Sequence, residues 1–293
     1  MRLLINRVSY YILAVFIIIA WVLIGQKVQT ITNEVDVIKT YGDNSIISDS
    51  GLLWLVNKDN LLTCEYIPSN LVSHNGIFLQ APALFAYNEM LAAMNADGIY
   101  GLKLASAYRS YDYQKNLFSN RVDELISKGH THIAAYELAA ETIQPPGASE
   151  HQTGLALDVT IAGDLTQDFG NTSAGKWIAE NAHNFGFIIR YPYAKTDITH
   201  ITYEPWHLRY VGVPHAQIIN DNDLTLEEYA SFILYIGAYL VWKEPGLSLE
   251  YFVVIYNYDW PYNISREIGD ISSIKPSDGV GYIITIKGSY KTY

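Results

Sequence analysis

Cysteine is nearly absent from this 293-residue chain, where Cys64 stands alone. An intrachain disulfide and a thiolate metal cluster are therefore excluded, since each needs partners the sequence does not hold. No nucleophile signature surrounds Cys64, so a small buried apolar role is expected for it. Charge is also sparse, at 17% of residues against 49% apolar, which excludes a disordered chain. Basic residues are the scarcer sign, 19 Lys+Arg against 30 Asp+Glu, giving a formal net charge of −11. A nucleic-acid-binding face needs clustered Lys and Arg to displace counterions from phosphates, and the sequence has no basic stripe. Internal repeats and low-complexity tracts are absent too, and the length allows one large domain or two small ones, enough for a real core.

What is present begins with a single long apolar run. Arg2 and Arg7 precede Tyr10 to Gly25 (YYILAVFIIIAWVLIG), a stretch with no polar face. The following QKVQTITNE lacks a small-x-small cleavage site, so an uncleaved membrane anchor is expected over residues 1–25 rather than a signal peptide. With the two arginines held on the cytoplasmic side, the body lies outside. Removing them leaves that body with 17 basic against 30 acidic residues, or −13. Residues 26–50 are polar and weakly periodic and read as a stalk.

Along the body, LLWLVN (52–57) is a strand candidate, followed by a turn at Lys58-Asp59-Asn60. Residues 82–96 carry Leu84, Tyr87, Leu91 and Met94 on one helical face and stop at Gly98. LKLASAY (102–108) alternates as a strand, and a helix follows over about 111–127, with Ser110 as N-cap and Gly129 past its end. A shorter helix covers about 133–141. LALDVT (155–160) is a strand placing Leu155, Leu157 and Val159 on one face and Ala156, Asp158 and Thr160 on the other. A helix over about 173–185 ends at Gly186, and FIIRYP (187–192) and WHLRYVG (206–212) are further strands. Thr225-Leu226-Glu227-Glu228 has the capping-box pattern of a helix start. The charge-free run Tyr229–Trp242 is short for a second span and is expected to be a buried helix. YFVVIYNY and GVGYIITIKG read as strands of a terminal extension. The domain plan expected is an anchor (1–25), a stalk (26–50), a working domain (51–230) and a C-terminal helix/β extension (231–293).

The chemistry concentrates in Ser149-Glu150-His151-Gln152-Thr153-Gly154-Leu155-Ala156-Leu157-Asp158 and in Glu204-Pro205-Trp206-His207. Two imidazoles and a carboxylate are the ligand set of a catalytic zinc with one position left for water. Asp158 lies on the polar side of an apolar strand, a costly placement that a metal would compensate. His207 projects opposite to Trp206 and Leu208. Glu204 and His207 differ by an odd number and would point apart in a regular strand, but Pro205 permits a bend that turns both inward. Singly, each has a plainer account: a satisfied histidine by a glycine turn, a turn-capping aspartate, a solvated loop acid. His74, His130, His132, His183, His200 and His215 are read in that plainer way.

The spacing S-x-H-x(2)-G-x-A-x-D followed by E-x-W-H resembles the VanY-type zinc D-alanyl-D-alanine carboxypeptidases, within the wider group of lysostaphin-like peptidases and hedgehog domains. SAYRSYDYQ (106–114), PPGASEHQTGLALDVT (145–160), NAHNFGFIIRYP (181–192) and ITYEPWHLRYVG (201–212) agree with it, so the resemblance spans about residues 52–230. It implies one zinc ion held by His151, Asp158 and His207, with Glu204 as catalytic base. It also implies that Arg109 grips a substrate's terminal carboxylate and that Ser149 lines the pocket, with Tyr108 and Gln114 as lesser pocket residues. A planar guanidinium suits a carboxylate, which it meets through two parallel hydrogen bonds.

The expected fold is therefore α+β, a central antiparallel sheet with flanking helices and a zinc site in a cleft, preceded by the transmembrane helix. The expected reaction is hydrolysis of the final D-Ala from peptidoglycan stem peptides, in wall remodelling or glycopeptide resistance. The expected partners are that stem peptide and the membrane, with no nucleic acid. Two alternatives stand beside it: an L,D-carboxypeptidase acting on tetrapeptide stems, and an inactive zinc-containing wall-binding or sensor module.

Overall fold

The computed structural model describes residues 51–163, 165–229 and 232, together with the backbone of residues 238–243, 248–257, 268–274 and 281–291. The expected anchor and stalk lie outside these residues. No helix among the described residues is long and apolar enough to cross a membrane.

A hairpin of β1 (Leu71–His74) and β2 (Ile77–Gln80) leads into helix α1 (Ala81–Ala96). There follow β3 (Lys103–Ser106), α2 (Tyr111–Ser127), α3 (His132–Ala140), β4 (Ala156–Thr160), α4 (Ser173–Asn181), β5 (Phe187–Tyr191), the single turn α5 (Thr196–Thr199), β6 (Glu204–Tyr210) and α6 (Val213–Asp221). Strands β3, β4, β6 and β5 form, in that order, one antiparallel sheet.

The two faces of that sheet follow from the period-2 pattern of β4. Leu155, Leu157 and Val159 join Leu208 and Phe187 against Tyr87, Met90 and Met94 of α1, all buried. Burying each such side chain contributes roughly 1.5–3 kcal/mol, so this layer holds the sheet rigid beneath whatever the other face carries. On α1 the buried stripe is Ala83, Ala86, Tyr87, Met90 and Met94, while Leu84 and Leu91 flank it half-buried. Alanines, which let the helix approach closely, take the places expected of the leucines. A separate cluster joins Phe118, Val122 and Leu125 of α2 to Ala135 and Ala139 of α3.

The local start signals act as read. Ser110 accepts from the Tyr113 N–H to cap α2. Thr225 and Glu228 form a reciprocal capping box, with the Thr225 N–H donating to Glu228 Oε2 at 2.8 Å and the Glu228 N–H to Thr225 Oγ1 at 3.2 Å.

Three expectations are corrected. LLWLVN is not a strand, since only an isolated bridge, Asn57 to Asn60, closes the Lys58-Asp59 turn. The carbonyls of Leu52 and Trp54 accept instead from Arg209 Nη2, which holds the segment irregular. Cys64 is exposed, not buried, and its thiol donates to Glu65 Oε1 at 3.1 Å. The last five residues of the run expected as a buried helix, 238–242, instead belong to strand β7 (Ala238–Lys243). It pairs antiparallel with β8 (Ser248–Asn257), and β9 (Ile268–Ile274) and β10 (Gly281–Lys291) complete a second sheet of order β7-β8-β10-β9. Strand β9 had no counterpart in the sequence reading.

Candidate active site

The site forms on the sheet face opposite α1, where Asp158 of β4 is paired in register with His207 of β6. His151 enters from a buried 3-10 turn, Glu150–Thr153, that runs into β4 through Gly154. Gly154 has φ +70°, and a Cβ there would sit 2.8 Å from Leu71 Cδ2, so this entry favours glycine.

Glu204 is turned inward by β6 itself. Ile189 faces Leu208 and Tyr191 faces Glu204, so four steps along β6 answer two along β5. Strand β6 thus runs through Pro205 but bulges there, and the odd spacing of Glu204 and His207 no longer separates them. Glu204 Oε2 lies 3.7 Å from His207 Nδ1. The bend expected from Pro205 is present as this bulge, inside a strand that begins two residues earlier than the pattern implied.

His151, Asp158 and His207 each offer a ligand atom, all within 4.8 Å of one another, and all three are buried. His151 Nδ1 is 2.6 Å from the Ala107 carbonyl, which fixes that nitrogen as donor and leaves Nε2 to face Asp158 Oδ2 at 3.4 Å. His207 presents Nδ1 to Asp158 Oδ1 at 3.1 Å. Two ligands on one tetrahedral zinc at bond lengths near 2.0–2.1 Å are about 3.3 Å apart, and each imidazole nitrogen stands close to that separation from one Asp158 oxygen, His151 from Oδ2 and His207 from Oδ1. Asp158 Oδ1 is buried and receives no well-aligned hydrogen bond, its polar neighbour being His207 Nδ1 at 3.1 Å. The donor set fits zinc on both counts.

Arg109 Nη2 contacts Asp158 Oδ2 at 2.5 Å and its Nε donates to Ser106 Oγ at 3.0 Å. The guanidinium therefore stands beside the metal set instead of presenting a free two-pronged fork. A cavity of about 440 Å³ opens in front, lined by Arg109, Ser149, Glu204 and the three donors, and also by Gln114 and Tyr191. Gln114 stands in this lining. It is buried, its Nε2 donates to the Gln144 carbonyl at 2.7 Å, and its Oε1 has no partner. Tyr191, unforeseen from sequence, packs its ring 5.0 Å from that of His207. Its only sequence signal was its place at the end of the FIIRYP strand.

The electrostatics agree with these contacts. Burial pushes the His151 imidazole down to about 4, with the Arg109 guanidinium adding to the fall and Asp158 opposing it. Burial works to raise the Asp158 carboxyl, yet the His151 and His207 rings outweigh it and hold the group well below the usual range. Burial pushes Glu204 up to about 7, with His207 pulling down and Asp158 pushing further up. A carboxyl near 7 beside a metal set is poised to accept and return a proton at neutral pH.

A buried His-Asp-His set, an acid poised beside it and a cavity in front define a mononuclear metal-dependent hydrolase. Comparison with known proteins narrows the class. The family model VanY, described as D-alanyl-D-alanine carboxypeptidase, matches residues 76–213. YodJ of Bacillus subtilis (strain 168), which bears a provisional carboxypeptidase name, is 42% identical over 207 residues, 66% of this chain and 72% of that protein. A zinc complex of a vancomycin-resistance D,D-pentapeptidase VanY, in a glutamate-to-alanine variant, superposes with a TM-score of 0.56 at 37% identity, covering 62% of this chain and 99% of that one. The LD-carboxypeptidase LdcB superposes with a TM-score of 0.55 at 40% identity, covering 66% and 95%. The chain belongs to the VanY D-alanyl-D-alanine carboxypeptidase family, and it is a carboxypeptidase with a zinc site.

Proposed function

We propose that this protein is a membrane-anchored, extracytoplasmic zinc carboxypeptidase that removes the terminal D-Ala from peptidoglycan stem peptides. The observation that carries the reading is the placement of Glu204 3.7 Å from His207 Nδ1, beside the His151-Asp158-His207 set and on the wall of the cavity. Zinc held by His151 Nε2, Asp158 and His207 Nδ1 would polarise the scissile carbonyl and acidify a water. Glu204 would accept a proton from the attacking water and donate it to the leaving D-alanine amine. Arg109 would pair with the substrate's terminal carboxylate from the wall of the cavity, which Ser149 also lines. The apolar run 10–25, with Arg2 and Arg7 before it and the polar segment 26–50 after it, supports an extracytoplasmic location for the working domain at 51–230. Trimming D-Ala-D-Ala ends fits wall remodelling or glycopeptide resistance.

The test is product analysis. Incubation with penta- and tetrapeptide stems should release D-alanine from the pentapeptide, and chelation should abolish the release. A second reading, L,D-carboxypeptidase activity on tetrapeptide stems, is favoured by the likeness to LdcB, and cleavage of the tetrapeptide alone would establish it in place of the first. The retained Glu204 weighs against an inactive binding module, and wild-type protein that binds zinc and stem peptide without turnover would support one.

A further inference from the structure

Directly beneath the site lies a second cluster of charges with no part in the reaction just described. Glu150 precedes the ligand His151 in the Glu150–Thr153 turn and is wholly buried. Its Oε1 receives Arg190 Nε at 2.8 Å and lies 2.9 Å from Arg209 Nη1. Arg209 is the next residue on His207's side of β6, and its Nη2 is spent on the Leu52 and Trp54 carbonyls. Arg190 sits on β5 next to Tyr191, whose ring packs on His207, and its other two nitrogens pair with Glu227 at 2.9 and 2.6 Å. One carboxylate oxygen thus joins the turn that bears the first imidazole ligand to the strand that bears the second.

We propose that Glu150 is a positioning residue, and that its grip on Arg209 and Arg190 sets the separation of the His151 and His207 donors and with it the metal affinity of the site. The rest of the turn is anchored away from β6. Gln152 Nε2 donates to the Thr63 and Tyr66 carbonyls, Thr153 Oγ1 to the Glu150 carbonyl, and the Thr153 carbonyl accepts from Gln80 Nε2. Besides the edge contact of the His151 ring with His207, the polar tie from the turn to the strand of the other imidazole is that of Glu150. A metal site tolerates only about 0.5 Å of ligand displacement before it loosens. Glu150 also offsets the Arg209 guanidinium beneath a bound cation, and shares Arg190 with Glu227.

The inference rests on the zinc site of the proposed function but needs no turnover to be tested. Zinc affinity of the folded protein is measured by competition with a chromophoric chelator, and donor geometry by the visible absorption of the cobalt(II) form. Glu150→Gln should bind zinc about ten- to a hundredfold more weakly and shift the cobalt spectrum, with kcat reduced more than KM is raised. Glu227→Gln, which loosens Arg190 from its far side, should lower the melting temperature while leaving zinc affinity and the cobalt spectrum as in wild type. If Glu150→Gln yields no folded protein, Arg209→Lys keeps the charge without the reach and carries the same expectation. A folded Glu150 or Arg209 variant with wild-type affinity and spectrum overturns the proposal, as does a Glu227 variant that loses zinc equally. Wild-type protein that binds zinc yet releases no D-alanine sinks the activity reading and leaves this one standing.

Discussion

Two buried charged clusters lie one above the other in this protein, and they differ by a single charge. Beneath the site, Glu150 and Glu227 answer Arg190 and Arg209, two against two. In the cavity lining, Arg109 is the one permanently charged cation facing Asp158 and Glu204, beside the titratable His151 and His207 rings. Uncompensated buried charge costs several kcal/mol per ion, so a balanced cluster can serve as framework while an unbalanced one persists for a reason. The shortage is visible in the groups themselves. Asp158 Oδ1 has the His207 ring beside it but no well-aligned hydrogen bond, and Glu204, pushed by burial and then by Asp158, rises to about 7. Positive charge is what the cavity is short of, and a dication supplies it.

The strongest way to break the comparison is to remove the shortage at its centre. Asp158→Asn takes away the anionic donor, so zinc binding should be lost and D-alanine release should fall to background. Metal content after gel filtration and a chromogenic D-alanine assay read the two effects separately. Glu204→Gln should spare the metal and cost about 10²–10⁴-fold in kcat, because it removes the proton acceptor and none of the donors. A Glu204 variant that lost its zinc would place this residue among the ligands and end its assignment as the base.

Arg109 gives a smaller and more selective effect. Arg109→Lys keeps the charge near Asp158 but gives up the planar fork, so kcat/KM for a peptide with a free terminal carboxylate should fall about ten- to a hundredfold. The same peptide ending in an amide should be cleaved poorly by both proteins and to a similar extent. Equal losses on both substrates would assign Arg109 to Asp158 and not to the chain end.

How far all this could be read from the sequence depended on distance along the chain. His151 and Asp158 are seven apart and Glu204 and His207 three, so a short pattern of scarce residue types exposed each pair. Even the inward turn of Glu204 was foreseeable from Pro205, though not that it would be a bulge within β6. Arg190 and Arg209, by contrast, lie in FIIRYP and WHLRYVG as single charges in apolar strands, and their meeting point at Glu150 is 40 residues or more away. Periodicity carries no information over that span. The same reason hid the fate of LLWLVN, an apolar run with a strand's composition whose Leu52 and Trp54 carbonyls are taken by Arg209. Cys64 was misplaced because residue type was the only clue to its burial. Strand β7 (Ala238–Lys243) was misplaced because a short apolar run suits helix and strand equally.

The smallest expected effect comes from a third buried polar pair, which is neither balanced nor short of charge because it carries none. His215 Nδ1 lies 2.7 Å from the Tyr229 hydroxyl, both residues are fully buried, and burial pushes the imidazole down to about 3. The unfolded chain binds a proton there near pH 6.5, whereas the folded protein resists until about pH 3. Stability from this pair is therefore complete above about pH 6.5 and drains away as the pH falls toward 3, by at most about 1.4 kcal/mol per pH unit. His215→Gln keeps a polar partner for Tyr229 and removes the titration. Its urea-unfolding free energy should fall less steeply than wild type between pH 6.5 and 4, with kcat and zinc affinity unchanged at neutral pH. An unaltered slope would mean that His215 is already protonated in the fold, and the pair would then have to be counted with the charged clusters it is set against here.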